Sequence, residues 1–212
     1  MGTEYEKKIC EFMYFEYASP KHCLLSSFLL FKKNNKNWKF YFDLRPKIFS
    51  KFQIFYTNEE LHYLLGSPFL NQIINKINDI KKDFWKICEH NPSFKNFTLK
   101  EFARVIISSR IFVISINNVK KDVLVPFADL LNHKRPRQTQ WYYDDAINNF
   151  VIQVTEDIMK GSEIYNSYGK KSNGRFLLNY VFAIENNDSA EYALSIIFNY
   201  PLYEIKKNNY NW

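Results

Sequence analysis

Two short segments in the second half of the sequence carry the side chains best suited to chemistry. The first segment, residues 123–133, reads Val-Leu-Val-Pro-Phe-Ala-Asp-Leu-Leu-Asn-His. The second segment, residues 160–173, reads Lys-Gly-Ser-Glu-Ile-Tyr-Asn-Ser-Tyr-Gly-Lys-Lys-Ser-Asn, and residues 177–182 follow with Leu-Leu-Asn-Tyr-Val-Phe. Each segment alone is weak evidence, so the inference depends on their order and spacing. The sequence contains no convincing Ser-His-Asp arrangement for nucleophilic catalysis.

In this order and spacing, the two segments and the residues 177–182 that follow them resemble the C-terminal half of a SET-domain methyltransferase. The resemblance is to the branch of the Rubisco large-subunit lysine methyltransferases in particular. It implies an α+β, SET-like fold of short β-strands, with a helical insertion preceding the C-terminal SET half. It also implies S-adenosylmethionine as the cofactor, and a lysine of a protein substrate as the group that receives the methyl.

Methyl transfer from a sulfonium to an amine depends mainly on positioning, with the reacting atoms about 3 Å apart in a site that excludes water. The amine must be neutral, and deprotonating a free lysine with a pKa of about 10.4 costs roughly 4–5 kcal/mol at pH 7. An apolar aromatic channel beside a cationic sulfur lowers that pKa by desolvation and by like-charge repulsion. The chemistry therefore requires aromatic walls, backbone oxygens and a tyrosine hydroxyl near the transferred methyl group.

The resemblance assigns Tyr168 as the catalytic tyrosine, and the alternative is an ordinary core tyrosine, one of fifteen in the chain. It assigns Asn132 and His133 to cofactor binding, the first through its side chain and the second through its backbone. Asp129 would be a weaker cofactor-binding residue, with holding the neighbouring loop as the alternative. Arg110 would close over the cofactor, unless it only neutralises the C-terminus of an apolar helix.

Four aromatic residues are assigned to substrate binding by the same resemblance. Phe112 matches a position where lysine-modifying members carry phenylalanine, whereas the related actin-histidine methyltransferase has an amide-bearing residue there. Tyr180 and Phe182 match an aromatic pair that lines the lysine channel and the cofactor pocket, with ordinary packing of a helix face as the alternative. Tyr142 would supply a further wall of the channel.

The sequence departs from the family pattern in ways that leave two alternative functions open. The first strand of this branch carries Gly-x-Gly, but no two of the five glycines here have that spacing. The usual Tyr-Gly-Phe reads Tyr180-Val181-Phe182, and the C-terminal helical lobe is missing or reduced after Tyr203. A truncated or degenerate, non-catalytic SET-like interaction module is therefore one alternative. A protein histidine methyltransferase of the same family is the other, and Phe112 disfavours it.

Capping patterns and hydrophobic periodicity predict helices in the first half of the chain. Capping boxes at Thr57–Glu60 and Thr98–Glu101 predict the starts of two helices. Between them, apolar residues at steps of three and four predict a longer helix that ends at Asn91-Pro92. The apolar run over residues 23–31 predicts a buried helix. The aromatic-rich residues 38–42, which precede Arg45-Pro46, suggest an extended connection.

Shorter apolar runs predict strands in the second half. The predicted strands are residues 123–127, 138–143, 148–155 and 193–198. Ser172 is the predicted N-cap of a short helix that carries the last aromatic motif. Helices first and small strands later indicate an α+β fold rather than a βαβ repeat.

This pattern divides the chain into four segments. Residues 1–44 form an unclear helical or extended segment, and residues 45–109 resemble the helical insertion. Residues 110–185 match the C-terminal SET half, and residues 186–212 are a terminal strand with a polar tail. The resemblance covers roughly residues 45–185.

Composition limits the partners and the compartment. The net charge of +7 comes from lysines spread along the chain without a dense basic block, which disfavours direct nucleic-acid binding. The three cysteines show no CxxC pairing, so we expect reduced thiols, no structural zinc, and a cytoplasmic or nuclear protein. Residues 1–17 lack the apolar stretch of a secretory signal, and no apolar run is long enough for a membrane span.

Overall fold

The computed structural model describes residues 16–45, 50–108 and 111–189. Among these residues, the α-helices are α1 (Pro20–Lys32), α2 (Lys36–Leu44), α3 (Asn58–His62), α4 (Pro68–His90), α5 (Leu99–Ser108) and α6 (Asn173–Tyr180). The strands are β1 (Ile111–Ile116), β2 (Val119–Leu124), β3 (Thr139–Asp144) and β4 (Asn149–Val154). Short 3₁₀ turns cover Gln53–Phe55, Pro92–Asn96 and Ala128–Leu130. The order of elements is the α+β arrangement that the sequence predicts.

Both predicted capping boxes are present. The Thr57 N–H donates to Glu60 at 2.7 Å and the Glu60 N–H donates to the Thr57 hydroxyl at 3.2 Å, at the start of α3. The Thr98 N–H donates to Glu101 at 2.8 Å and the Glu101 N–H donates back at 3.2 Å, at the start of α5. Each box pairs two backbone N–H groups that a helix N-terminus would otherwise leave without a hydrogen-bond acceptor.

Among the described residues, the helices enclose the larger of two apolar cores. The predicted stripe of α4 faces inward, with Ile73, Ile80, Phe84 and Ile87 buried. Against it pack buried residues of α1, α5 and the turn between α4 and α5, namely Cys23, Leu30, Phe94 and Phe102. The predicted helix over residues 23–31 is therefore confirmed as α1, and α4 ends before Asn91 as Pro92 predicts.

The strands form two antiparallel hairpins around a smaller core. β1 pairs with β2, and β3 pairs with β4. Phe112 on β1 packs edge-on against Trp141 on β3 and Phe150 on β4, with ring centroids 5.2 Å apart in both pairs. The alternating side chains of β3 and β4 agree with the predicted strands.

Two predicted elements differ from the structure. Residues 38–42 lie within helix α2, whose N-terminus is capped by the Asn35 side chain accepting from the Asn37 N–H at 2.9 Å, so the extended connection was wrong. The strand predicted over residues 123–127 is the end of β2, which stops at Leu124 because the chain turns into the loop that contains Phe127 at φ 72°. Strand β1 was not predicted.

Other predicted features lie outside the described residues. Arg110 is one of them, and the strand predicted over residues 193–198 is another. Among the described helices, none combines the length and the apolar character needed to cross a membrane.

Candidate functional site

The two motif segments identified in the sequence lie side by side in the structure. His133 and Asn166 form an isolated parallel β-bridge. In that bridge the Asn166 N–H donates to the Asn132 carbonyl at 2.8 Å, and the Lys134 N–H donates to the Asn166 carbonyl at 2.9 Å. Residues more than thirty positions apart are thus joined through the backbone, and the chain places the first segment directly against the second.

Tyr168 is anchored to the first segment at both its backbone and its side chain. Its N–H donates to Nδ1 of His133 at 3.0 Å, and its hydroxyl donates to the Leu131 carbonyl at 2.7 Å. Its ring stacks on the His133 ring at a centroid distance of 5.1 Å and on the Tyr180 ring at 4.7 Å. The phenol is therefore held in one orientation beside the Leu131–Asn132 backbone.

His133 is held as a neutral imidazole that faces Tyr168. Its Nδ1 accepts the Tyr168 N–H, so in the neutral ring the proton resides on Nε2. Burial lowers the pKa of His133, and the nearby cations Arg135 and Lys171 lower it further. Nε2 is buried and has no hydrogen-bond partner among the described residues. The His133 side chain thus holds Tyr168 in place by a hydrogen bond and by ring stacking.

A cavity of about 660 Å³ opens in front of Tyr168. One wall comes from α1 and α4 and includes Lys76 and Ile80. The opposite wall comes from the strands, the 3₁₀ turn at Ala128–Leu130 and α6, and it includes the residues Phe112, Asp129, Trp141, Tyr168 and Tyr180. The cavity therefore lies between the helical core and the strand core, and aromatic rings form much of one side.

The structure brings four of the predicted site residues to this cavity, namely Tyr168, Tyr180, Phe112 and Asp129. Three others lie close to it without lining it. His133 and Phe182 pack behind Tyr168, with ring centroids 5.1 Å and 6.3 Å from the Tyr168 ring. Asn132 is exposed, and its amide donates to Glu163 at 2.6 Å.

Tyr142 does not reach the cavity, because successive side chains of a strand point to opposite faces. Its neighbour Trp141 lines the cavity instead, and Tyr142 is 43% exposed on the other face of β3. Phe112 is a cavity residue and a core residue at once, since it is only 5% exposed and packs on Trp141.

Asp129 is buried, and helix α2 holds it in place. The Tyr41 hydroxyl donates to Oδ2 of Asp129 at 2.5 Å. Tyr41 is 2% exposed and Asp129 is 3% exposed, so this hydrogen bond forms away from solvent. A hydrogen bond to a buried carboxylate is among the stronger ones in proteins. The unexpected helix α2 therefore contributes directly to the site.

Val181 occupies the position where the sequence departs from Tyr-Gly-Phe. It follows the last residue of α6 and has φ 66° and ψ 30°, a left-handed conformation. Its N–H donates to the carbonyls of Phe176 and Leu177, which ends the helix. The departure therefore places a β-branched residue where glycine is favoured by the backbone itself.

Among the cavity residues that sequence reasoning missed are Trp141, Asn166 and Lys76. Trp141 could have been found from the alternation of β3, and Asn166 lies inside the second motif segment. Nothing in the sequence indicated Lys76, because a lysine among the isoleucines of α4 looks like an ordinary polar residue at the edge of an apolar stripe. Burial lowers the pKa of Lys76 to about 8, and burial also lowers the pKa of Lys171, which lines the cavity as well.

Comparisons with known proteins agree with this geometry. The SET domain family matches residues 6–169, so the matched region begins well before residue 45. Ribosomal lysine N-methyltransferase set10 of Schizosaccharomyces pombe is 26% identical over 82% of this chain and 33% of its own length. Actin-histidine N-methyltransferase of Papio anubis is 24% identical over 86% of this chain and 33% of its own length.

A solved structure of Rubisco LSMT bound to AdoMet superposes with a TM-score of 0.70 at 24% identity, covering 96% of this chain and 48% of that chain. This likeness concerns the fold. The chain spans about a third of the length of the curated relatives given above. The division of the chain into four segments stays a prediction. Because one family matches most of the chain, the protein belongs to the SET domain family.

Proposed function

We propose that this chain provides the S-adenosylmethionine site and the methyl-transfer site of a protein lysine N-methyltransferase. The observation that carries the proposal is the anchoring of the Tyr168 phenol beside Leu131 at the edge of an aromatic cavity. The SET family membership and the lysine methyltransferases among the relatives support it.

The cavity residues fit the chemical groups of this cofactor. A volume of about 660 Å³ lies within the range of roughly 300–1,000 Å³ that small-molecule sites occupy. The rings of Trp141 and Tyr180 line the cavity and suit a cationic sulfonium, because aromatic rings attract cations. The Asp129 carboxylate suits an ammonium group. When bound, the cofactor supplies a methyl group on a cationic sulfur.

The resident lysines indicate what the cavity does to an amine. Burial lowers the pKa of Lys76 to about 8 and lowers that of Lys171 as well. An amine that enters the same space from a substrate loses water in the same way, so its pKa also falls. The cavity therefore favours the neutral form of a substrate lysine, which is the nucleophilic form.

The Tyr168 hydroxyl would orient this amine. Because its proton is directed to the Leu131 carbonyl, the hydroxyl oxygen can act as an acceptor towards an N–H or a polarised C–H. Phe112 offers no polar atom to an imidazole, so nothing at that position favours a histidine substrate over a lysine.

The alternative is a non-catalytic interaction module. The exposed Asn132, bound to Glu163 rather than directed into the cavity, favours it, as does the lack of Gly-x-Gly. We also propose that the protein acts on another protein in the cytoplasm or nucleus, which the buried free thiols of Cys23 and Cys88 support.

Calorimetric titration with S-adenosylmethionine tests the binding step. We expect the wild-type chain to bind, and Asp129→Asn to bind at least about tenfold more weakly, because a charge-assisted contact is lost. Asp157→Asn is the matched control, since Asp157 is exposed and does not line the cavity. An absence of binding by the wild type up to millimolar cofactor would favour the interaction module.

Transfer of a labelled methyl group to free L-lysine, with free L-histidine in parallel, tests the reaction. We expect label on lysine only, and a loss of roughly 100-fold in kcat for Tyr168→Phe, since a pre-oriented polar group at the reacting atoms is removed. Tyr142→Phe is the control on the exposed face of β3. Label on histidine alone would contradict the proposed substrate class.

A further inference from the structure

Lys76 connects the long helix α4 to the end of α6. It lies between Ile73, which is fully buried, and Ile80, which is 7% exposed, so its side chain starts from the inner face of α4. Its Nζ donates to the Leu178 carbonyl at 2.8 Å and to Oδ1 of Asn179 at 3.0 Å. The contact therefore joins two elements that are about one hundred residues apart in sequence.

The acceptors of Lys76 belong to the last turn of α6. The carbonyls of a last turn have no partner within the helix, and a cation near them is favoured by the helix dipole. The next residue, Tyr180, stacks on Tyr168 with ring centroids 4.7 Å apart and an interplanar angle of 27°. The position of this turn thus determines how Tyr180 meets Tyr168.

Neutral oxygens hold the Lys76 ammonium group. Among the described residues, no carboxylate lies within ion-pair distance of its Nζ, although Asp79 and Asp83 of α4 line the same cavity. The other charged or titratable groups around that cavity are Lys21, His22, Asp129, Lys171 and the phenols of Tyr168 and Tyr180. Burial lowers the pKa of Lys76 to about 8, so the charge that strengthens both hydrogen bonds is present at neutral pH and is lost above pH 8.

We infer that Lys76 is a positioning residue for the proposed methyl transfer, which it serves by fixing the C-terminal turn of α6 and hence the stacking of Tyr180 on Tyr168. The inference rests on the proposed function for its catalytic consequence. The structural part stands without it, because the contact between the two rings can be measured in the free protein.

Nuclear Overhauser effects between the ring protons of Tyr168 and Tyr180 test the structural part. We expect the wild type to show them, and Lys76→Met to lose most of their intensity. Lys76→Arg should keep them, because a guanidinium can donate to the same two oxygens. Lys82→Met, on the exposed face of α4, is the matched control and should leave them unchanged. Undiminished ring contacts in Lys76→Met would overturn the inference.

Steady-state transfer from S-adenosylmethionine to free L-lysine tests the catalytic part. We expect Lys76→Met to lower kcat roughly tenfold, since small displacements of positioning groups have effects of this size or more, and to leave the KM for the cofactor within about twofold. Lys76→Arg should restore most of the kcat. If the wild type does not bind the cofactor, the proposed function is wrong. The ring contacts between Tyr168 and Tyr180 then still decide whether Lys76 positions Tyr180.

The wild type itself keeps the inference testable if Lys76→Met does not fold. As the pH rises through about 8, Lys76 loses its proton, and the ring contacts between Tyr168 and Tyr180 should weaken. In Lys76→Arg, whose side chain stays charged, this change should be absent. The same change with pH in both proteins would contradict the inference, because another group would then be responsible.

Discussion

Val181 shows how one residue departs from a family pattern at the level of the backbone. Left-handed φ and ψ angles bring Cβ too close to the following carbonyl oxygen, which costs about 1–2 kcal/mol for residues other than glycine. Val181 adopts such angles, at φ 66°, and is branched at Cβ. The strain lies at the end of α6, immediately between Tyr180 and Phe182, both of which pack on the Tyr168 ring.

We expect Val181→Gly to raise the free energy of unfolding by about 1 kcal/mol, measured by urea denaturation. The free energy gained by removing the strain exceeds the cost of the conformational entropy that glycine adds to the unfolded chain. Val119→Gly is the control, because Val119 is an exposed residue of β2 and glycine should destabilise a strand there. A lower stability for Val181→Gly would show that packing of the valine side chain stabilises the protein by more than the backbone strain destabilises it.

His133 should make the stability depend on pH. Burial lowers its pKa in the folded protein below the value of about 6.5 expected in the unfolded chain. Between those two values the unfolded chain binds more protons, so stability rises with pH. The contribution is complete above about pH 6.5 and is lost as the pH falls through the folded pKa, because protonation of Nδ1 ends the hydrogen bond from Tyr168.

We expect His133→Asn, whose Oδ1 can accept the same N–H, to show a shallower rise in unfolding free energy between pH 5 and about pH 6.5 than the wild type. The measurement is a series of urea titrations across this window. Phe182→Leu is the control, because it perturbs the same ring cluster without removing a titratable group. Equal slopes for His133→Asn and the wild type would mean that other groups account for the dependence.

The sequence predicted correctly that two residues of its motifs line one cavity. Tyr168 and Tyr180 were predicted as site residues, and both line the cavity. The β-bridge between the motif segments places Tyr168 there, and Tyr180 stacks on it from α6. The cofactor contact of Asn132 stays a prediction, and in the structure its amide donates to Glu163. Lys76 could not be found, because its partners are a backbone carbonyl and an amide one hundred residues away, and no local pattern encodes such a contact.

Helices with local start and stop signals were predicted well, and elements without them were not. α4 has a proline at its start, an apolar stripe and a proline after its end, so its bounds follow from short-range chemistry. α2 is short and rich in aromatic residues, which have lower helix propensity, and its packing on the site through Tyr41 is a tertiary effect. The β1–β2 hairpin turns at Asn117-Asn118, both at positive φ, a signal that is weaker than Asn-Gly.

The two capping boxes allow a test of how context sets the value of one motif. α5 buries Phe102 fully, whereas α3 has no buried residue. We expect Thr98→Ala to lower the unfolding free energy by about 1 kcal/mol, as loss of an N-cap usually does. Thr57→Ala breaks an equivalent box, but it should lower the unfolding free energy by less than about half as much. Local fraying of α3 disrupts no buried contact.

Urea denaturation monitored by circular dichroism would measure both variants. Equal losses would show that the caps act through the intrinsic stability of each helix and that the contacts of α5 with the core do not amplify the effect.

Within the part of the chain that the structure describes, the cavity separates two apolar cores. The helical core includes Phe84 and Phe102, and the strand core includes Phe112 and Ile114. Both cores contribute walls to the cavity, through α1 and α4 on one side and through β1, β3 and α6 on the other. A ligand that fills the cavity therefore contacts both parts at once.

We expect S-adenosylmethionine to stabilise both cores together. At a concentration 100 times its Kd, a ligand that binds only the folded state adds about 2.7 kcal/mol, which raises the Tm of a chain of this size by about 5–10 °C. Circular dichroism reports mainly on the helices. In a variant whose other three tryptophans are replaced by phenylalanine, the fluorescence of Trp141 reports on the strand core. The two unfolding curves should shift by the same amount. Asp129→Asn should show a smaller shift at the same ligand concentration, because its binding is weaker. A shift seen only in Trp141 fluorescence would mean that the ligand contacts the strand side alone and that the helical wall does not take part in binding.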